Sequence, residues 1–339
     1  MKKLRGGLIG CGFFARNHMH GWNEVADAEI AAVCDSDGSR VAAFVRDFGV
    51  PRGYTDAAEM LRTERLDFVD IVTQPASHRP LVELAAAHRT PVICQKPLAP
   101  TLEDAEAMVR ACAAGGVPFM VHENFRWQAP MRALKAASER IGGLFFGRIS
   151  FRSAHDVYTD QPYLATDPRF ILADLGVHLL DLARCFFGEA ARLTCLTQRV
   201  NPNIRGEDVA TVLMEMRSGA TCLVDLSYAS KLEEELFPQT LVHLEGSRGS
   251  ATLGPGFRLT TTVGTTVERR DVSPHLYPWS RPPGEATQEA VVAIQSHWAE
   301  RLRAGAEPET SGADNLKTLE LVFGAYQSAE QRQPFQVKG

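Results

Sequence analysis

Through the first third of the chain, short apolar runs alternate with stretches in which apolar residues recur every three or four positions. LRGGLIG (4–10) reads as a strand and Phe14 to Val25 as a helix. AEIAAVCD (28–35) is a second strand, followed by helices over 38–48 and 56–62. DFVDIVT (67–73) is the next strand, Ser77 is placed to cap a helix over 78–88, and PVICQ (91–95) follows. Thr101, three residues before Asp104, forms a near relative of the capping box. Leu102, Ala105, Val109 and Cys112 then share one face until Gly115-Gly116 stops the helix, and VPFMVH (117–122) is again a strand. Strands that are apolar almost throughout, alternating with helices, predict a parallel sheet covered on both faces.

After about residue 143 the period changes to two. LFFGRISFRSAH, ARLTCLTQRV, DVATVLMEM, ATCLVDLSYA, TLVHLEG, ATLGP and FRLTTTV alternate like strands, and glycine turns separate several of them. A largely antiparallel sheet is expected. One helix, about 174–187, interrupts it, and two more, about 285–304 and 312–331, close the chain. The overall expectation is an α/β protein with two domains. Residues 1–123 form a Rossmann dinucleotide-binding domain, and 124–339 an α/β domain with an open, mostly antiparallel sheet for substrate and oligomerisation. The C-terminal helix is free in this scheme to pack back on the first domain.

Composition adds constraints. With 339 residues the chain is long enough for two cores. A formal net charge of -5 gives no basic surface for nucleic acid. No apolar run has the length of a membrane span, and the start reads as a strand rather than a secretory leader, so a cytoplasmic protein is expected. The seven cysteines are dispersed, mostly in apolar runs and without metal-site spacing, which predicts reduced, buried thiols.

GLIGCGFFARNHMHGW contains Gly10-x-Gly12-x-x-Ala15 between a strand and a helix. Gly10 serves a tight turn, Gly12 the close approach of a pyrophosphate, and Ala15 the packing of helix on strand; Cys11, Phe13 and Phe14 complete the loop. The second strand ends in Asp35, where an acid meets the ribose hydroxyls of the cofactor. The same DSDG stretch is also a good turn former. Asp35 and Asp37 repel a 2′-phosphate, so NAD is favoured over NADP, although Arg40 is near in sequence.

Ligands in such a sheet lie beyond the carboxyl ends of its strands. TQPASH (73–78) and QKP (95–97) are two such ends, which makes Gln74, His78, Gln95 and Lys96 candidates to line the cofactor crevice. Lys96 is placed to hydrogen-bond a substrate hydroxyl and stabilise developing alkoxide. FILADLGVHLLDLARCFFG (170–188) sets Asp174 and His178 four apart on one helical face, continued by Asp181. The histidine suits general-base work and the carboxylate can orient it or bind hydroxyls. A plain helix salt bridge uses the same spacing, and two ligands without a third argue against a metal. His18, in the first helix near the phosphates, is a further candidate for the cofactor, whereas His20, His88, His243 and His297 read as structural.

The GxGxxA loop, the Lys-Pro dipeptide at 96–97 and the D-x-G-x-H-x-x-D segment at 174–181 together resemble the Gfo/Idh/MocA oxidoreductase family. The likeness covers essentially the whole length. It implies reversible oxidation of a sugar or polyol hydroxyl with hydride passing to NAD, and catalytic roles for Lys96, Asp174 and His178. It also implies assembly as a homodimer or homotetramer. MVHENFRWQAPM (120–131) falls where the family links its domains near the cofactor: either Asn124 meets the cofactor and Arg126 substrate oxygens, with Trp127 packed over the crevice, or the stretch is only a polar hinge between the domains. Tyr158, with His155, Asp156, Tyr163 and Arg169, lies on a loop that shapes a sugar pocket or merely solvates its surface. The phrases GLIGCGFFARNHMHGW, VICQKPLAP, MVHENFRWQ and NPNIRGEDVAT together resemble one branch of the family, and that resemblance implies oxidation of an aldose at its anomeric carbon. An inositol or other polyol is the alternative. One departure is visible: the family usually has Glu before Lys-Pro, and here Gln95 stands there. An amide lends Lys96 no negative neighbour, which favours a lysine able to share proton transfer.

Overall fold

The computed structural model describes residues 2–159 and 161–338. The chain forms two compact units, one of Met1–Asn124 with Gln288–Lys317, the other of Phe125–Thr287 with Thr318–Gly339.

In the first unit β1 (Leu4–Ile9), α1 (Ala15–Glu24), β2 (Ala28–Cys34), α2 (Gly38–Phe48), β3 (Arg52–Tyr54), α3 (Ala57–Thr63) and β4 (Phe68–Ile71) are followed by α4 (His78–Ala87), β5 (Val92–Gln95), α5 (Leu102–Gly115) and β6 (Phe119–His122). All six strands pair in parallel in the order β3-β2-β1-β4-β5-β6. The chain reverses direction of winding between β1 and β4, which places a ligand crevice beyond their carboxyl ends. Helix starts follow local chemistry. Asp37, Asp56 and Thr101 accept from the backbone N–H of Ser39, Glu59 and Asp104. Ser77 does not cap α4: a 3₁₀ turn, Pro75–Ser77, precedes the helix, and the Ser77 hydroxyl turns back to the Gln74 carbonyl at 2.8 Å. The apolar face of α5 is Ala105, Met108 and Cys112, with Leu102 and Val109 only half-buried. Strand β3 has three residues, two of them exposed, too few for an apolar pattern to announce it.

The second unit begins with a 3₁₀ turn, Phe125–Trp127, and α6 (Ala129–Arg140), a helix the sequence pattern left within a polar connection. It continues with β7 (Leu144–Arg152), α7 (Val177–Phe187), β8 (Ala190–Gln198), β9 (Val209–Met216), β10 (Thr221–Ser227), β11 (Leu241–Gly246), β12 (Gly249–Gly254), β13 (Arg258–Val263) and β14 (Thr266–Asp271). Then come α8 (Glu285–Ala304), α9 (Gly312–Gln331) and β15 (Phe335–Gln336). Nine strands pair in the order β14-β13-β12-β11-β7-β10-β9-β8-β15, antiparallel except where β7 meets β10. Strand β14, TVERRD, is exposed at nearly every position and carries no apolar alternation to predict it. One face of the sheet packs its alternate residues, such as Val212, Met214, Cys222, Val224 and Leu244, on Leu179, Leu182, Phe186, Leu321 and Ala325.

From Gln288 to Lys317 the chain belongs to the first unit. Gln295 donates to the His18 carbonyl, Trp298 is buried edge-on to Phe68, and the Thr310 hydroxyl donates to the Val121 carbonyl at 2.9 Å. Among the described residues no helix is long and apolar enough to cross a membrane.

All seven cysteines are free, and six are buried. Burial pushes the thiols of Cys11, Cys34, Cys112, Cys195 and Cys222 up to about 12, and that of Cys94 well above its ordinary value. A raised value keeps the unreactive thiol form at all ordinary pH. Iodoacetamide at mildly alkaline pH should therefore spare these six cysteines in the folded chain. Peptide mass spectrometry showing native-state labelling of Cys94 would contradict that burial.

Candidate active site

The loop after β1 is shaped for a phosphate group. Gly10 has φ +103°, and a Cβ there would lie 2.2 Å from the Val72 carbonyl oxygen, so only glycine fits. A Cβ on Gly12 would meet nothing within 4 Å, leaving open space against the backbone where α1 begins. Ala15 is fully buried under that helix and Phe13 is 67% exposed. The Phe14 side chain gives α1 no cap, which suits a helix start turned to an anionic ligand. The Asp35 carboxylate does two things at once. Oδ2 accepts the Cys11 N–H at 2.7 Å, bracing the glycine loop, and Oδ1 accepts the Asp37 N–H at 2.9 Å in a turn. Arg40 is drawn to Asp37 at 3.5 Å. The donor set and the glycine cradle fit a dinucleotide.

Beyond β4 and β5, the strand ends are tied down by buried polar groups. Gln74 is exposed. His78, a candidate for the cofactor, is fully buried, with Nδ1 3.0 Å from the Leu98 carbonyl and Nε2 3.1 Å from that of Thr73. It joins the two loops to each other, and burial draws its pKa down. Lys96 is half-buried, and its backbone N–H donates to Gln95 Oε1 at 2.6 Å. The Gln95 amide is buried, with Nε2 3.3 Å from His18 Nε2. His18 Nδ1 is 2.8 Å from Asp70 Oδ2, which also accepts from Trp22 Nε1 at 2.7 Å. The ring of His122 lies on that of His18 with centroids 4.1 Å apart. Asn124 is buried.

In the second unit, Asp174 does not sit in an ordinary α-helix. Residues Leu172–Gly176 form a π turn that leads into α7. Asp174 thus stands in a widened turn one turn before His178, and π turns inside helices recur at functional sites. Glu207 accepts the Leu172 N–H at 3.1 Å and the Tyr326 hydroxyl at 2.7 Å, while the Tyr326 oxygen accepts the Ala173 N–H at 3.1 Å. These bonds take up backbone donors at the start of the π turn. The His178 ring is nearly buried and stacks flat on Phe125, with centroids 3.9 Å apart and planes 4° from parallel.

Asp181, fully buried, holds Arg126 through two bonds of 2.5 and 2.7 Å and accepts Thr318 Oγ1 at 2.9 Å. Arg126 therefore fastens the turn that carries Phe125 to the helix that carries His178. Two of its guanidinium nitrogens, Nε and Nη2, are taken up by that clamp. Trp127 is buried, with the Arg132 guanidinium 3.9 Å from its ring centre.

Tyrosines gather near Asp174. Burial, and then the Asp174 charge, push the Tyr163 hydroxyl up to about 12 and that of Tyr228 well above its ordinary value. Tyr158 is raised by burial and shares a hydrogen bond with Asn201. Tyr158 and Tyr228 both pack on Phe170. Sequence reading missed Tyr228, Glu207 and Tyr326, which lie in a strand end, a loop and a helix far apart in the chain. No local spacing connects them.

Two family models match: an oxidoreductase family with an NAD-binding Rossmann fold over residues 4–123, and a Gfo/Idh/MocA C-terminal domain over 131–252. The chain is 53% identical to a D-apiose dehydrogenase of Rhizobium rhizogenes, over 97% of this chain and 96% of the relative. The chain belongs to the Gfo/Idh/MocA oxidoreductase family. A D-apiose dehydrogenase of Paraburkholderia graminis is 52% identical, over 100% of this chain and 91% of the relative. A Gfo/Idh/MocA-like fold is also seen at TM-score 0.98 and 52% identity in a crystallised oxidoreductase from Agrobacterium radiobacter, covering 99% of both chains. That protein was in complex with NAD+, L-tartaric acid and magnesium. In this Gfo/Idh/MocA chain, Lys96 falls in the first unit and Asp174 and His178 in the second.

The Arg126–Asp181 pair yields a direct test. Breaking a buried pair strands a charge, whereas exposed pairs contribute little. Arg126→Ala should cost about 3 kcal/mol in urea unfolding, moderated by Arg184 and Thr318, which stay beside Asp181. A loss under about 0.5 kcal/mol, the range of ordinary surface changes, would show that the clamp is not holding the turn.

Proposed function

We propose that the protein oxidises D-apiose at its anomeric carbon, with NAD+ as hydride acceptor, to give the lactone. The observation that carries the substrate is identity of 53% along nearly the whole length with a D-apiose dehydrogenase. The cofactor reading rests on the glycine cradle and on Asp35 and Asp37, whose charges disfavour a 2′-phosphate.

His178 takes the proton of the anomeric hydroxyl as the C–H bond breaks. Its ring is held in one plane by Phe125, so little reorganisation precedes proton transfer. Lys96 and Asp174 hold the hydroxyl: the ammonium donates to its oxygen and stabilises developing negative charge, and the carboxylate accepts from a neighbouring hydroxyl. Tyr158 and Tyr163 border the sugar as donors, since both stay protonated at neutral pH. Gly10, Cys11, Gly12, Phe13, Phe14, Ala15, Asp35, Gln74 and Asn124 hold the dinucleotide. Bound NAD+ supplies the electrophilic nicotinamide that accepts the hydride.

A cytoplasmic homo-oligomer fits the family pattern. Its contact face is the open side of the large sheet, where Leu196 and Leu213 are 66% and 51% exposed on adjacent strands. Light scattering should give a multiple of the monomer mass, and Leu213→Glu should lower it. A wild-type monomer would end that reading.

For the chemistry, a panel of aldoses and polyols assayed for NADH should give D-apiose the highest kcat/KM, with lactone as product. Turnover of an inositol with failure of every aldose would reverse the substrate. Lys96→Ala and His178→Ala should each lower kcat by about 10²-fold or more while NAD binding holds within about threefold. Wild-type turnover in either variant removes that residue from the mechanism.

A further inference from the structure

The residue that departs from expectation, Gln95, sits in a chain of hydrogen bonds whose directions chemistry fixes. The Lys96 backbone N–H can only donate, so the Gln95 atom 2.6 Å away is the carbonyl oxygen. The other end of the amide is then the NH₂, and it faces His18 Nε2 at 3.3 Å. An NH₂ group can only donate, so His18 Nε2 is the bare, accepting nitrogen. The ring proton is on Nδ1, which donates to Asp70 Oδ2 at 2.8 Å beside the Trp22 indole N–H. His18 and Asp70 are fully buried and Gln95 nearly so, so water does not relieve a mismatch.

We propose that Gln95 is a positioning residue matched to the Nδ1–H form of His18. It holds the main chain of Lys96 in place only while His18 Nε2 is free to accept. The chain runs from Asp70 on β4, through His18 on the helix that opens at the phosphate loop, to the end of β5 where Lys96 begins. A proton on Nε2 would set donor against donor. Turning the amide over would then satisfy His18 but aim NH₂ at the Lys96 N–H. Either way one bond of the chain is lost, and the loop carrying Lys96 loses its anchor.

A carboxylate at position 95 reverses the logic. Its oxygens accept from Lys96 and face a bare His18 Nε2, two acceptors in contact. The contact closes only if one proton enters it, and imidazole, a stronger base than a carboxylate, takes that proton on Nε2, making His18 an imidazolium between Asp70 and the new carboxylate, with the ring of His122 against it. Both arrangements carry one net negative charge, so Gln95 and its glutamate variant should both fold, with different protonation of one buried ring.

This inference rests on Lys96 as a catalytic residue only for its kinetic consequence, and the test separates the two. Full-length protein labelled with ¹⁵N in the histidine rings is read by long-range ¹H–¹⁵N correlation at neutral pH, with His18 assigned by the signals missing from His18→Asn. Should that variant not fold, the signals that change in Gln95→Glu serve instead. The wild type should show His18 protonated on Nδ1 alone, and Gln95→Glu should show both ring nitrogens protonated. A wild-type Nε2–H ring, or no change in any histidine signal of Gln95→Glu, overturns the proposal. Gln95→Leu, similar in size but without either bond, should lower kcat by roughly tenfold or more at nearly unchanged KM for NAD, because the lysine is misplaced rather than removed. Wild-type kcat in Gln95→Leu also overturns it. Retained turnover in Lys96→Ala would remove the catalytic reading while leaving the ring-proton result to stand.

Discussion

A polar group taken out of water must find a partner, and the functional ends of both sheets obey that constraint. His18, Asp70, His78, Asp181 and Glu207 are all buried, and each is tied to a group on another element. These bonds are directional, which apolar packing is not. They convert the approximate placement given by layers of helix and sheet into side-chain positions fine enough for chemistry.

The two units use the constraint differently. In the first, a parallel sheet delivers its strand ends to one edge, and neutral hydrogen bonds through Gln95 and His78 hold the loops there. In the second, a charged pair, Arg126–Asp181, fastens a short turn to a helix and so lays Phe125 on His178. The widened turn at Asp174 keeps its backbone donors satisfied through Glu207 and Tyr326. Regular structure is abandoned there, yet no hydrogen-bond debt accumulates at the start of the turn.

What could be read from sequence follows from range. The GxGxxA loop, Asp35, the Thr101 cap and the alternation of β8 to β13 are local patterns, and they appear where spacing puts them. Lys96 stood out because a lysine closing an apolar strand is locally odd. The π turn was invisible, since one extra residue in a turn is set by partners at 207 and 326 rather than by its own composition. The clamp of Arg126 on Asp181 could not be read from sequence because the two lie 55 residues apart. Gln95 looked like a tuner of the lysine's charge, whereas its oxygen holds the lysine's main chain. Helix α6 was passed over between two conspicuous patterns, and β14 is too polar to signal a strand.

The discontinuity of the first unit has a consequence for biosynthesis. Gln295, Trp298 and Thr310 complete its hydrogen bonds and core, and they leave the ribosome about two hundred residues after β6. At roughly 5–20 residues per second, the nucleotide-binding unit is without its closing segment for about ten to forty seconds of translation. All of the intervening sheet is synthesised in that interval. A nascent chain of this protein therefore makes Phe125–Thr287 of its second unit before the first can close, and Thr318–Gly339 completes the second only after that, so the two units are finished in alternation rather than one after the other.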